Sequence, residues 1–171
     1  MFSINIILTG FMGAGKTTIG RIVAKELNMK FIDTDEEIVR TTGLSITEIF
    51  ERFGEEYFRD IEEEIIERVA SGKGLVIASG GGIVLRERNI NNLKKNGIIF
   101  LLTADENELL NRVYGSTDRP LIKKGTEDFL RLLDEREERY FETADYIIDT
   151  NKRTAESAAW EIIRIYNKLL V

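Results

Sequence analysis

The chain has 171 residues, 43% of them hydrophobic, which predicts one domain over residues 1–171 with a single sizeable core. Its formal net charge of -6 argues against a broad surface for nucleic acid or membrane lipid. The absence of cysteine and histidine excludes disulfides, thiolate metal sites and imidazole acid–base catalysis. Residues 1–10 are apolar but short and lack a basic leader, so we expect no signal peptide or membrane span, and a cytoplasmic protein.

Five short apolar runs have the character of buried parallel strands. They cover residues 4–9, 30–33, 75–79, 98–102 and 146–149. Helical patterns separate them, and strands that alternate with helices form a parallel sheet covered on both faces. The sequence therefore predicts an α/β protein with a three-layer, doubly wound fold.

The helices are predicted from apolar spacing and capping residues. Residues 18–27 carry one apolar stripe, and Ser45 with Glu48 forms a capping-box pattern, followed by a longer helix from about Glu55. Asp105 is a weaker capping signal. Thr126 is a candidate cap for the next helix, and a final amphipathic helix begins near residue 155.

Residues 114–125 show no clear apolar period, and they hold the only proline of the chain, Pro120. This composition is typical of a mobile surface loop, and we expect a lid over about residues 113–125. Arg119 lies within it, where a surface ion pair contributes little. An arginine that swings onto a phosphoryl group explains its position better.

Residues 10–17 read GFMGAGKT and fit G-x-x-x-x-G-K-[ST] between a strand and a helix. Such a loop turns its amide N–H groups and the positive end of the helix dipole toward phosphate oxygens. Lys16 reaches the β and γ phosphates, and Thr17 ligates Mg²⁺ through its hydroxyl. The alternative is a glycine-rich turn with an exposed lysine, which the flanking strand and helix disfavour. The loop predicts nucleotide phosphate binding but not the fate of the phosphate.

Asp33 and Asp35 follow the second predicted strand. At spacing i, i+2 in an extended segment, both side chains point the same way. The carboxyl ends of parallel strands are where ligands bind, so both acids are expected beside the phosphate loop, one near a metal and one accepting a substrate hydroxyl proton. The alternative is that one of them only begins a turn or caps a helix.

Ser79 precedes three successive glycines, Gly80, Gly81 and Gly82, after the third predicted strand. Three glycines lose much chain entropy on ordering, so an ordinary turn would not favour them. We interpret them as a close approach of the backbone to a ligand.

Two arginines lie in apolar surroundings. Arg136 falls on or beside the apolar face of its helix, and Arg59 follows a run of aromatic residues. A buried guanidinium needs an anionic partner, which is either an internal carboxylate or a bound anion. For each arginine taken alone, the internal salt bridge is the simpler interpretation.

Six motifs occur in order along the chain: GFMGAGKTTIGR, DTD at 33–35, GEEYFRDIE around Arg59, SGGG at 79–82, TDRPL at 117–121 and R-x-x-x-Y at 136–140. As a set they resemble the shikimate kinase family over nearly the whole chain. The resemblance implies a P-loop kinase fold with a five-stranded parallel sheet, a substrate-binding helical segment over about 33–61, and the lid. It also implies ATP-dependent phosphorylation of the shikimate 3-hydroxyl by a monomer.

The resemblance implies a role for residues of each motif. Catalysis falls to Lys16, Asp35 and Arg119, and Mg²⁺ to Thr17 and Asp33. Shikimate is held by Asp35, Arg59, Gly80, Gly81, Gly82 and Arg136. ATP is held by Gly13, Ala14, Gly15, Lys16, Thr17, Thr18, Arg112 and Arg119, with Arg112 packed on adenine. One departure is that family members often have proline in the adenine loop, where this chain reads NKRTA at 151–155.

Two other functions fit parts of the sequence. A kinase for another small acceptor, such as gluconate or a nucleoside monophosphate, would share the loop, and gluconate would also need arginines for its carboxylate. A P-loop switch, in which the nucleotide changes a protein-binding surface, would show slow hydrolysis and no dependence on a small acceptor. The DTD, GGG and RPL motifs together favour shikimate.

Overall fold

The computed structural model describes residues 4–115 and 123–170. The strands are β1 (Asn5–Thr9), β2 (Lys30–Asp33), β3 (Leu75–Ala78), β4 (Gly97–Thr103) and β5 (Tyr146–Asp149). The helices are α1 (Lys16–Glu26), α2 (Thr34–Thr42), α3 (Ile46–Ala70), α4 (Glu87–Asn96), α5 (Glu106–Tyr114), α6 (Lys123–Thr143) and α7 (Ala155–Leu169), with a 3₁₀ turn at Ile83–Leu85.

The five strands form one parallel sheet in the order β2-β3-β1-β4-β5. The central strand, β1, is fully buried because helices cover both faces of the sheet. On one face α1 packs against α7, and on the other α3 packs against α4. The predicted three-layer α/β fold and all five strands are confirmed, with boundaries within one residue of those expected.

The direction of the connections reverses between the adjacent strands β1 and β3: from β1 the chain continues to β2 on one side, whereas from β3 it continues to β4 on the other side. At such a point the loops leaving the carboxyl ends of adjacent strands diverge and open a crevice. The phosphate loop lies there, between β1 and α1, and the segments after β2 and β3 lie on one side of it. The topology therefore brings the three predicted ligand-binding segments together.

The long helix α3 bends at Gly54, whose backbone has φ 83° and ψ 175°. The capping box at its start is present: the Ser45 hydroxyl accepts from the Glu48 amide at 3.2 Å, and the Glu48 carboxylate accepts from the Ser45 amide at 2.9 Å. A second helical stretch begins after Gly54. The predicted helix from about Glu55 is thus confirmed.

One helix prediction is wrong, and one helix was not predicted. Thr126 does not cap α6, because the helix already begins at Lys123. Helix α4 was not predicted at all: its sequence ERNINNLKKN has only two apolar residues, and two of its asparagines, Asn89 and Asn92, are buried instead. Asp105 does precede α5, but its side chain makes no capping hydrogen bond.

The predicted lid, about residues 113–125, falls partly outside the described residues. Its first residues belong to α5, which ends at Tyr114, and its last ones to α6, which begins at Lys123. Residues 116–122, including Arg119 and Pro120, lie outside the description. In residues 4–115 and 123–170, no helix has both the length and the apolar character needed to cross a membrane.

Candidate active site

The phosphate loop depends on three glycines with positive φ: Gly10 at 142°, Gly13 at 84° and Gly15 at 96°. A side chain is strained in this region of backbone space. At Gly10 space is also lacking, because a Cβ there would lie 2.6 Å from the Leu102 carbonyl oxygen. Gly15 is the N-cap of α1 and carries no capping side chain, so the first amides of the helix remain available to an anion.

Lys16 lies inside the curve of the loop. Its Nζ donates to the carbonyl oxygens of Gly10 at 2.6 Å and of Phe11 at 2.9 Å. Burial lowers its pKa to about 8, although the charges of Asp35 and Asp33 act in the opposite direction. The two carbonyl oxygens carry only partial negative charge. A polyphosphate bound at the loop would balance the charge of the Lys16 ammonium more fully.

Thr17 and Asp33 are hydrogen-bonded, with Thr17 Oγ1 donating to Asp33 Oδ2 at 2.8 Å. The other carboxylate oxygen of Asp33 accepts from the amides of Asp35 at 3.0 Å and Glu36 at 3.3 Å, which makes Asp33 the N-cap of α2. Asp33 therefore caps a helix and also faces Thr17. A hydroxyl and a carboxylate side by side are hard oxygen ligands that fit Mg²⁺.

Asp35 lies in the first turn of α2 and not in an extended segment, because β2 ends at Asp33. The predicted extended i, i+2 geometry of Asp33 and Asp35 is therefore wrong. The Asp35 carboxylate is nevertheless close enough to Asp33, Lys16 and Arg59 for their charges to act on it. The pKa of Asp35 is raised, mainly by burial and next by Asp33, while Lys16 and Arg59 oppose the shift. A raised pKa makes a carboxylate a better proton acceptor.

The three glycines leave space for side chains that converge from other elements. A Cβ on Gly80 would lie 2.8 Å from Asp35 Oδ1, and one on Gly82 would collide with the Arg59 guanidinium. Gly82 has an ordinary φ of -95°, so space and not backbone conformation requires glycine there. The close neighbours of Gly80 and Gly82 are thus charged side chains of the chain itself, and the approach of this backbone to a ligand stays a prediction.

Arg59 belongs to a buried ion pair. Its Nη1 donates to Glu62 Oε2 at 2.7 Å, and its Nη2 lies 3.2 Å from Glu55 Oε1. Glu62 is 1% exposed, and its second oxygen has no partner among the described residues. Burial raises the pKa of Glu62, against the attraction of Arg59. Glu62 was not predicted as a site residue, although its position three residues after Arg59 on one helix was a usable signal.

Arg136 is half-buried and has no carboxylate partner among the described residues. Its guanidinium carbon lies 6.0 Å from the centre of the Phe11 ring. Tyr140, one turn further along α6, donates its hydroxyl to the Gly81 carbonyl. Burial raises the pKa of Tyr140 to about 12, although Arg136 acts to lower it. Among the described residues, the internal salt bridge is thus present for Arg59 and absent for Arg136.

A cavity of about 240 Å³ adjoins the phosphate loop on the side of α5 and α7. Four of the residues expected to hold ATP line it: Ala14, Gly15, Thr18 and Arg112. Arg112 is fixed there, because it donates to the Thr150 carbonyl at 2.7 Å and to the Gly13 carbonyl at 3.3 Å.

Arg153 and Thr154, which were not predicted as site residues, also line this cavity, in the segment that lacks proline. The Nη1 atom of Arg153 donates to the Oε2 atom of Glu161 at 2.6 Å. Of the predicted site residues, Arg119 alone lies outside the described residues. The others gather around the phosphate loop or in the adjoining cavity.

A sequence model of the shikimate kinase family matches residues 12–167 of this chain. The chain belongs to the shikimate kinase family. One relative of the chain is the shikimate kinase from Thermodesulfovibrio yellowstonii, which is 47% identical to it over 166 residues that cover 96% of each chain. A solved shikimate kinase from Acinetobacter baumannii, in complex with shikimate, is 39% identical with a TM-score of 0.89, covering 97% of this chain and 94% of that one.

A gluconokinase from Sinorhizobium meliloti is also similar in structure, with a TM-score of 0.62 over 99% of this chain and 97% of its own. Its sequence identity is 17%, so it shares the fold alone. This likeness gives no support to gluconate as the acceptor. Shikimate kinases are the family that accounts for both the sequence and the structure.

Proposed function

We propose that this member of the shikimate kinase family transfers the γ-phosphoryl group of ATP to the 3-hydroxyl of shikimate, with shikimate 3-phosphate and ADP as products. The observation that carries the proposal is the half-buried guanidinium of Arg136, which has no described carboxylate partner. It lies in the same crevice as Asp35 and the phosphate loop. A guanidinium without a described salt-bridge partner, in one crevice with a proton-accepting carboxylate, suits a substrate with both a carboxylate and hydroxyls.

On the nucleotide side, the amides of residues 13–18 and Lys16 hold the phosphates, and Arg112 packs against the adenine. Thr17 and Asp33 hold Mg²⁺, which neutralises phosphate charge as the phosphoryl group transfers. Arg119 contacts the transferring phosphoryl group. ATP binding raises the pKa of Lys16, so its ammonium stays charged while the γ-phosphoryl group leaves.

On the acceptor side, Arg136 and Arg59 bind the substrate carboxylate, and Glu62 orients Arg59 from behind. Asp35 accepts the proton of the attacking hydroxyl. The backbone of Gly80, Gly81 and Gly82 forms the floor of the acceptor site. We assign this acceptor role to the segment of about residues 33–61 within a single domain, and we propose a cytoplasmic monomer that binds neither nucleic acid nor membrane.

A coupled assay of ADP release tests the proposal directly. ADP release should depend on shikimate and should be absent with gluconate or nucleoside monophosphates. Equal ADP release without any acceptor would indicate a nucleotide switch or an ATPase and would refute the proposal. Dependence on gluconate alone would refute the acceptor assignment.

Gly82→Ala is expected to raise the KM for shikimate by about tenfold or more, because the new methyl group displaces the Arg59 guanidinium and weakens a charged hydrogen bond. The melting temperature should fall by several degrees, as expected for about 1–3 kcal/mol of overpacking. Gly81→Ala is the matched control for stability alone: its methyl group would make ordinary contacts of 3.4 Å or more, so its melting temperature stays near wild type. A wild-type KM in Gly82→Ala would contradict the placement of Arg59.

Arg136→Lys is expected to weaken shikimate binding about ten- to a hundredfold, because lysine cannot make the two parallel bonds of a guanidinium to a carboxylate. Stability should change little, since no described internal carboxylate loses its partner. Arg139→Lys, three residues on, is the control. Arg139 pairs with Glu87 and Glu142, so this change affects stability and not affinity.

The carboxamide analogue of shikimate completes a thermodynamic cycle for Arg136. Removing the substrate charge should weaken binding to the wild type strongly and to Arg136→Lys much less. Equal losses in both proteins would show that Arg136 and the substrate carboxylate do not interact.

A further inference from the structure

A second cavity lies at the carboxyl end of β4, between α5 and α6. Its volume is about 400 Å³, within the range of small-molecule sites. Buried apolar residues, among them Phe11, Leu109 and Leu133, form its floor. Ile147 of the edge strand β5 is the register neighbour of Leu101 in the cavity wall, and it is 52% exposed. The helices thus leave this corner of the sheet open to solvent.

The cavity is separate from the catalytic crevice but adjoins it through two side chains. Phe11 lies in its wall and also beneath the Arg136 guanidinium. Tyr140 lies in the wall, and its hydroxyl binds the Gly81 carbonyl. Lys16, by contrast, does not line this cavity. A molecule bound here would therefore contact Phe11 of the phosphate loop and Tyr140, which binds the backbone of Gly81, without occupying the place of either substrate.

The mouth of the cavity carries negative charge. Asp105, Glu106 and Glu137 line it, and none of the three forms an ion pair with a described residue. No lysine or arginine is found among the described lining residues. Phe141, beside these acids, is 45% exposed. Carboxylates without a described ion-pair partner, next to an accessible aromatic face, favour a cation with an apolar body.

We propose that this cavity binds a small molecule that joins an aromatic ring to a protonated amine, at the same time as ATP and the acceptor are bound. The ring packs on the apolar floor and Phe141, and the ammonium faces Glu137 and Asp105. A second copy of the chain is a poorer occupant, because a symmetric contact would bring two sets of three carboxylates together.

The test uses three indoles with the same ring and two-carbon chain: tryptamine, tryptophol and indole-3-propionate, with charges of about +1, 0 and -1 at neutral pH. Their binding to the full chain is measured by ligand-observed NMR, with and without saturating shikimate and a non-hydrolysable ATP analogue. Tryptamine should bind about tenfold more tightly than tryptophol, and indole-3-propionate should bind more weakly still. The presence of both substrates should not displace tryptamine.

Two exposed positions locate the site. Glu137→Gln should weaken tryptamine binding severalfold, and Phe141→Ser should abolish it, whereas Glu138→Gln, the same charge change one residue along α6, should leave it unchanged. Equal binding of the three indoles, displacement by either substrate, or equal losses in Glu137→Gln and Glu138→Gln would overturn the proposal. A dimer in sedimentation that Phe141→Ser abolishes would assign the surface to a second copy and would also overturn it.

Discussion

Lys16→Met is expected to lower kcat for phosphoryl transfer by at least about 10³-fold, because a positioned cation at the β and γ phosphates is a main catalytic contribution in this chemistry. The structure places the Lys16 ammonium within the loop, 2.6 Å and 2.9 Å from two of its carbonyl oxygens. ADP release in the coupled assay measures the loss. Lys25→Met, an exposed lysine of the same helix, should retain wild-type turnover. Near-normal kcat in Lys16→Met would contradict the assignment of the phosphate loop.

The variant should also remain folded. The pKa of Lys16 is lowered from 10.5 to about 8 in the folded protein, so the charged lysine disfavours folding fully below about pH 8, and this effect disappears as the pH rises to about 10.5. Methionine removes this unfavourable contribution, which offsets the two lost hydrogen bonds.

The same pKa predicts how nucleotide affinity depends on pH. Since ATP favours charged Lys16, wild-type affinity should fall as the pH rises above about 8, with uptake of a proton on binding. Lys16→Met should lack this dependence. Calorimetry in buffers of different ionisation enthalpy measures the proton uptake.

Asp35→Asn is expected to lower kcat by about 10²–10⁴-fold, since the amide keeps the shape of the side chain but cannot accept the hydroxyl proton. Nucleotide affinity should survive, because the phosphate loop is unchanged. Glu36→Gln is the matched control, as Glu36 is exposed and its ion pair within the described part of the chain is with Arg21 at the surface. If Asp35→Asn changed KM for shikimate alone, Asp35 would bind substrate without acting as the base.

The pH profile separates the base role from a binding role. Burial and Asp33 raise the pKa of Asp35, so kcat/KM of the wild type should fall as the pH is lowered through that raised pKa, where the carboxylate becomes protonated. The Asp35→Asn variant should lack this acid limb. If the variant kept an acid limb with the same midpoint, a group other than Asp35 would be responsible for that limb.

Several features followed from short stretches of sequence because the signals themselves are local. The phosphate loop, the five strands, the capping box at Ser45 and the helix after Gly54 each depend on residues within a few positions of one another. Helix α4 and the start of α6 escaped prediction for the same reason, since α4 has few apolar residues and α6 begins before its most visible capping residue.

The sequence by itself determined the fold class, the phosphate loop and the set of charged residues from which the site is built. Only the tertiary structure decided how those charges are shared. Arg59 meets Glu62 and Glu55 on its own helix, whereas no described acid pairs with Arg136. The space at Gly82 is taken by a guanidinium from another element. The pairing of Arg59 lies within one helix and has a local signal, whereas the contact at Gly82 and the surroundings of Arg136 depend on how the helices pack against the sheet. Local sequence patterns do not encode the distances between elements far apart in the chain.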